Sequence, residues 1–158
     1  GGRVAIHVWH LYGPSGGGAA AEEGGALLEW ALAEAEALGQ VPALIAGDLN
    51  LDPLPQAAAC LLHLGGWRDV GAEAGEPTCF AAAAVAGSRL DRVLLNPAAS
   101  RLLQSFAVDW GTGLPTHATK RFALAAGRPH GSWLGCGRRR RPASRRREGV
   151  PGVCRRDT

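Results

Sequence analysis

Apolar and polar positions along the first 125 residues fall into several short patterns, and each predicts an element. Residues 4 to 11 (VAIHVWHL) alternate and are rich in β-branched and aromatic side chains, so they read as a strand, which Gly13-Pro14-Ser15-Gly16 ends. Residues 21 to 38 are mostly helix formers. Leu28, Leu32, Ala35 and Leu38 share one stripe, Glu22, Glu23, Glu29, Glu34 and Glu36 fall largely elsewhere, and Gly39 is a stop, which predicts an amphipathic helix. Residues 41 to 46 form a short continuous apolar run, suited to a strand buried on both faces, that delivers Gly47-Asp48-Leu49-Asn50 at its end. Residues 55 to 64 read as a second helix closed by Gly65-Gly66. After a turn-rich stretch through Trp67, Asp69 and Pro77-Thr78-Cys79-Phe80, and a featureless connector at 81 to 87, strands are expected at 89 to 95, 102 to 108 and 117 to 125. From Gly127 onward the periodicity disappears. The stretch around GRRRRPASRRR has too little apolar content for a core, so the chain divides into a body, 1–126, and an Arg-rich tail, 127–158, expected to be disordered.

Composition narrows the class. With 46% hydrophobic and 20% charged residues over 158 positions, the chain is not a disordered protein as a whole. No apolar run approaches the ~18 residues of a spanning helix, and the N-terminus lacks the layout of a signal peptide, so a soluble, intracellular protein is expected. There is no methionine, and Gly1-Gly2-Arg3-Val4 leads almost directly into an apolar stretch, so a fragment with its start upstream is expected. The net charge of +3 hides an asymmetry: residues 1–127 carry seven basic against twelve acidic side chains, residues 128–158 ten against two. An acidic body suits a divalent cation and a basic tail suits a polyanion, although a solvated charge run is the commoner case. Cys60, Cys79, Cys136 and Cys154 form no C-x-x-C pair, which argues against structural zinc. Cys60, in an apolar run, reads as a small buried hydrophobe.

Candidate chemistry gathers at four strand ends. Tyr12 follows the first strand and offers a phenol to a phosphate oxygen, or simply packs on a neighbour. Asp48 and Asn50 flank Leu49, so both can face one site while the leucine points to the core; the aspartate can orient or deprotonate water and the amide can hold it or a phosphate. A polar turn explains the pair equally well. Asp91 interrupts the strand at 89 to 95 and, taken alone, reads as an ion-pair partner of Arg89 or Arg92. His117 opens the last strand after Pro115-Thr116, where a carboxylate from another strand, naturally Asp91, would fix its tautomer and raise its basicity. His7 and His63 have no such context and read as packing or surface residues, and His10 as a strand-face residue.

Tyr-Gly-Pro-Ser-Gly, an amphipathic helix, Ala-Gly-Asp-Leu-Asn, Gly-Trp-Arg-Asp, Pro-Thr-Cys, Ser-Arg-Leu-Asp-Arg-Val-Leu and Pro-Thr-His occur in that order. Residues 3 to 125 thereby resemble the later half of the endonuclease/exonuclease/phosphatase superfamily. The resemblance implies an α/β fold, one half of a DNase I-like four-layer α/β/β/α sandwich with mostly antiparallel sheet and flanking helices. It implies a metal-dependent phosphodiester hydrolase, nuclease-like and truncated, using Mg2+ or Mn2+. By the same match Asp48 positions the attacking water, Asn50 supports it, Asp91 orients His117, and His117 and Tyr12 contact the phosphate. Nucleic acid is the partner favoured by the Tyr12 segment and the basic tail; small phosphate esters and phospholipid headgroups stay open. Two departures stand out. Thr116 occupies the position of the family's metal-binding aspartate before the histidine, leaving Asp48 and Thr116 as a poor metal pair. The asparagine and glutamate that are the family's main magnesium ligands belong to a first half that the residues before Val4 do not supply. The rival expectations are a catalytically inactive remnant, for example retroelement-derived, with a polyanion-binding tail, and an unrelated α/β interaction domain.

Overall fold

Nine elements follow one another in a computed structural model of the chain, which describes residues 5–72, 75–80 and 86–125. They are β1 (His7–Tyr12), α1 (Ala19–Ala37), β2 (Ala43–Asp48), α2 (Gln56–Leu64), β3 (Arg68–Asp69), β4 (Asp91–Leu95), α3 (Pro97–Ser100), β5 (Leu103–Asp109) and β6 (Thr119–Leu124). Four strands make one sheet in the order β1-β2-β4-β3, and β5 with β6 makes a second. β1 and β2 run parallel, with α1 as the crossover a parallel pair requires, and the other pairs are antiparallel. The predicted tail lies outside the described residues.

Alternation along β2 explains its unbroken apolar run. Ala43 and Ile45 enter a cluster with Leu28 and Leu32 of α1, Leu62 of α2 and Trp67. Leu44 enters another with Val70, Val93, Leu95 and Ala99, against which Phe106 of β5 and Leu124 of β6 pack. The four-stranded sheet is thus covered by α1 and α2 on one face and by α3 with the β5–β6 hairpin on the other, and β2 is buried on both. On α1 the predicted stripe holds for Leu28, Leu32 and Ala35, joined by Ala31, but Leu38 lies at the C-cap and is exposed.

Cys60 departs from expectation. It is exposed, because α2 buries the stripe through Ala58 and Leu62, and position 60 points away from it. Two short elements were not predicted. α3 is a single turn whose N-cap, Asn96, accepts the Ala99 N–H at 2.8 Å, with Pro97 following where a missing N–H costs nothing. The Asn96 side chain also accepts from Ala43 N at 3.1 Å and donates to Val41 O at 2.8 Å, tying the end of β4 to the start of β2.

The other missed element, β3, carries the main ionic knot. Asp69 accepts both forks of Arg89, at 2.7 and 3.2 Å, and Arg92 Nη1 at 2.6 Å. Arg92 further donates to Leu51 O at 3.1 Å and approaches Asp52 at 3.5 Å. The expectation that Arg89 or Arg92 pairs with Asp91 is therefore wrong: a carboxylate from another strand takes both arginines. Their side chains are only 12% and 7% exposed, so each guanidinium depends on that partner. Asp69→Ala is expected to cost about 3–5 kcal/mol, the scale of leaving a buried charge unpaired. Urea unfolding measures it, and a loss below about 1 kcal/mol would show that the arginines find other partners.

Candidate active site

Three strand termini meet at one end of the four-stranded sheet. β2 runs out at Asp48, β4 begins at Asp91, and the antiparallel register sets these two residues directly opposite each other. Tyr12, the last residue of β1, is in parallel register with Asp48 on the other side. Like charges directly opposite are unfavourable on a sheet, so this end of the fold calls for positive charge nearby.

Local backbone makes the arrangement possible. Gly47 has φ 148°, and a Cβ there would sit 1.9 Å from Leu11 O; one on Gly13 would sit 2.0 Å from Leu49 O. Only glycine permits both approaches. Leu49 is buried in the core, as the spacing of Asp48 and Asn50 requires. Asn50 adopts the left-handed φ of 51° that asparagine tolerates, donates its backbone N–H to Asp48 Oδ1 at 3.2 Å, and anchors its side-chain amide on Gly13 O at 2.8 Å.

His117 reaches the cluster by a different route. Residues 78 to 80 lie between the segments at 88 and at 117, with Cys79 N donating to Ser88 O at 2.9 Å, Phe80 N to Thr116 O at 2.8 Å and Ala118 N to Thr78 O at 2.9 Å. The Thr78 hydroxyl, fully buried, accepts from Asp91 N at 3.0 Å. Pro77-Thr78-Cys79 is therefore a clip that holds the histidine segment against the start of β4. Thr116 sits at φ 67°, and His117 N donates to Pro115 O at 2.9 Å across it. That is the tight three-residue turn of the rarer, strained hand, in a β-branched residue, beside His117.

The geometry that results is compact. His117 Nδ1 lies 3.1 Å from Asp91 Oδ2, and one ligand atom each from Asp48, Asp91 and His117 lie within 4.8 Å of one another. All three side chains are half-buried. A carboxylate only accepts, so the neutral ring carries its proton on Nδ1 and leaves Nε2 bare. The Cys79 Sγ lies 3.6 Å from that second nitrogen. Burial pushes the Cys79 thiol up, and the nearby charges of Asp91 and then Asp48 push it further.

Of the residues expected at the site, Asp48, Asp91 and His117 come together and Asn50 is bonded to Asp48. Tyr12 shares the sheet end but projects into solvent, 69% exposed, so it is not packed on a neighbour. Thr116 is exposed beside His117. His7, His10 and His63 are exposed too, His7 stacking on Trp9. Sequence reasoning gave no task to Thr78, Cys79 or Lys120. Pro-Thr-Cys was visible as a motif, but its function as a clip depends on pairing between distant segments.

Among the described residues Lys120, on β6, has the pKa displaced furthest from its ordinary value. Its Nζ is shielded from solvent and has no hydrogen-bond partner among the described residues. Burial brings its pKa down to about 8; Asp91 opposes the change, Arg89 reinforces it, and Asp69 and Arg92 add smaller opposed effects. Because the unfolded chain keeps that proton up to about 10.5, stability should rise with pH between about 8 and about 10.5 as the penalty on the buried ammonium is relieved. Lys120→Met is expected to flatten that rise and to stabilise the chain by about 1 kcal/mol at neutral pH. Thermal unfolding across pH checks it; an unchanged slope would place the amine in water.

A sheet flanked by helices on one side and a second antiparallel sheet on the other, with acid and imidazole groups at one strand end, defines a DNase I-like α/β sandwich. The chain belongs to the Endonuclease/Exonuclease/phosphatase family, whose profile matches residues 4–143. Membership removes the expectation of an unrelated interaction domain. Among solved structures it resembles a 3′ phosphatase from Neisseria bound to a product DNA hairpin (19% identity, 76% of this chain and 61% of that one, TM-score 0.58). It also resembles a 3′-5′ exonuclease from Neisseria meningitidis (23%, 75% and 62%, TM-score 0.55). An AP endonuclease from Archaeoglobus fulgidus is similar as well (20%, 74% and 60%, TM-score 0.53). At these identities the likeness is one of fold, and the chain spans about three-fifths of each of those proteins. No curated protein matches the chain. Among the described residues no helix is long and apolar enough to cross a membrane.

Proposed function

We propose that the chain carries the hydrolytic site of a divalent-metal-dependent phosphodiesterase acting on nucleic acid. The observation that carries this reading is the grouping of Asp48, Asp91 and His117 within 4.8 Å at one sheet end. The donor set suits a divalent cation: two carboxylates face each other in register, and a hard cation offsets their repulsion while accepting their oxygens. Such an ion, Mg2+ or Mn2+, would bind through Asp48, with Thr116 as a weak further donor, and would supply Lewis acidity toward the phosphoryl oxygens.

The chain's own residues then divide the work. Asp48 orients the attacking water and takes its proton. Asn50 positions Asp48 through its backbone N–H and keeps the amide side chain at the mouth. Asp91 fixes the His117 ring through Nδ1, and His117 presents Nε2 to the phosphoryl group, where a protonated ring donates to an oxygen that gains charge. Tyr12, exposed beside Asp48, offers its phenol to a flanking phosphate. Nucleic acid is favoured as substrate by the DNA-directed proteins the fold resembles and by the ten basic residues of 128–158, which form a second, polyanion-binding segment after the body.

His117→Ala and Asp48→Ala should each lower Mg2+-dependent cleavage of labelled duplex DNA by at least ~10²-fold, the scale of lost acid-base catalysis. Full activity in either variant would refute the assignment. A second reading, a non-catalytic remnant that binds polyanions, draws on Thr116, a hydroxyl at the position where the family resemblance implies a metal-binding aspartate. It predicts no cleavage by the wild-type chain together with retained DNA binding. In both readings, removing residues 128–158 should weaken DNA binding and flatten its dependence on salt. An unaltered salt slope would exclude the tail from phosphate contact.

A further inference from the structure

Two exposed aromatic side chains touch each other, and the site as proposed gives neither a task. The rings of Phe80 and Trp110 have centroids 5.2 Å apart and planes inclined by 51°, yet the residues are 40% and 44% exposed. A tilted contact of this kind leaves ring surface free on both. They come from separate segments, Phe80 following the Pro77-Thr78-Cys79 clip and Trp110 following β5. From this juxtaposition beside His117 we infer that Phe80 and Trp110 form a stacking platform for one unpaired base of a polynucleotide, next to the phosphate under hydrolysis.

The platform is continuous with the candidate site. Phe80 N donates to Thr116 O at 2.8 Å, and Cys79, the residue before it, puts its sulfur 3.6 Å from His117 Nε2, the nitrogen assigned to the phosphoryl group. Consecutive Cα atoms are about 3.8 Å apart, so the first ring stands one residue from a side chain that touches the phosphate-facing atom.

Both rings are also held before any ligand arrives. A Cβ at Gly87 would lie 2.8 Å from Phe80 Cε1 and 2.5 Å from Pro77 Cβ, so the phenyl ring rests where only a glycine leaves it room. Asp109 braces the other ring: its Oδ1 accepts the Gly111 N–H at 2.8 Å across Trp110, and its Oδ2 pairs with Arg121. Exposed rings already fixed in place lose little freedom on binding, which suits them to a ligand with a flat face. Two rings, at roughly 150–250 Å2 each if wholly covered, fall short of the roughly 800 Å2 per side of a stable protein interface, which disfavours a protein as the occupant. Every base has such a face, whereas a base inside a duplex must first leave its stack to present it. The platform therefore selects strands by the presence of an unpaired base and not by sequence.

This inference rests on the nucleic-acid reading of the site and deepens it. The test is binding of the full chain, in EDTA so that nothing is cut, to a single strand carrying 2-aminopurine among thymines and to a fully paired duplex of the same sequence. Wild-type chain should quench the 2-aminopurine of the single strand by stacking. Trp110→Leu and Phe80→Leu, which keep an apolar side chain, should each abolish the quenching and lower the preference for single strand over duplex ~5–100-fold, the scale of losing a base stack. Trp110→Phe should retain both. An unaltered preference in Trp110→Leu would overturn the platform, even where Phe80→Leu fails to fold. A wild-type chain that binds no oligonucleotide would sink the nucleic-acid reading and the platform together. Binding and quenching by a chain that cuts nothing in Mg2+ would support the platform while refuting the catalytic reading.

Discussion

Two carboxylates set face to face are the constraint around which the rest of the molecule is arranged. The pairing of β2 with β4 forces Asp48 and Asp91 together at the sheet end, and like charges in that relation repel. The nearest strong cations in the sequence, Arg89 and Arg92, do not relieve the repulsion, because Asp69 has claimed both. Asp69 therefore does more than close an ionic knot. It keeps two permanent charges away from Asp91 and leaves the imidazole of His117 as its partner. The repulsion is held at the site instead of being neutralised there, and the price is met by packing elsewhere: β2 buried on both faces, and a helix layer and a hairpin fixed to either side.

How the histidine comes to that partner shows why the site needs more than strand ends. His117 belongs to no pairing with β2 or β4; its segment is bridged to Cys79, and the Cys79 segment is bridged to Ser88 just ahead of β4. The strained turn at Thr116 aims the ring, and the buried Thr78 hydroxyl holds the Asp91 backbone. A strained turn persists only where the surroundings over-determine it, and four backbone hydrogen bonds from residues 78 to 80 and 118 supply that support.

Much of this frame was legible in the sequence. Period-2 and period-3.6 patterning located β1, α1, α2, β4, β5 and β6, and an unbroken apolar run located β2, because each pattern reports on which faces are buried. Asp48, Asn50, Asp91 and His117 lie at the ends, breaks or starts of apolar patterns, but their roles could be named only from the family resemblance. What stayed hidden were features set by tertiary contact. A two-residue strand has no periodicity, so β3 and the role of Asp69 could not be read. Cys60 stood in an apolar run, yet its exposure is decided by the turn of α2 on which it falls. Arg89 and Arg92 flank Asp91 in sequence, and proximity along the chain suggested a pairing that the fold gives to another strand.

Charge accounting around the mouth links these observations to chemistry. With Arg89, Arg92 and Asp69 joined in one knot that Asp52 also approaches, the charged groups at the site among the described residues are Asp48 and Asp91 with, when protonated, His117, while the buried Lys120 amine feels the charge of Asp91. Lys120 lies buried on a group whose charge is already costly, so it offsets the pair only in part, and less as pH rises past about 8. Under the proposed function, a mouth with this balance would repel a phosphodiester that arrives alone. It would accept one that arrives with a cation, because the ion's charge would exceed anything the described residues supply locally and reverse the sign of the field.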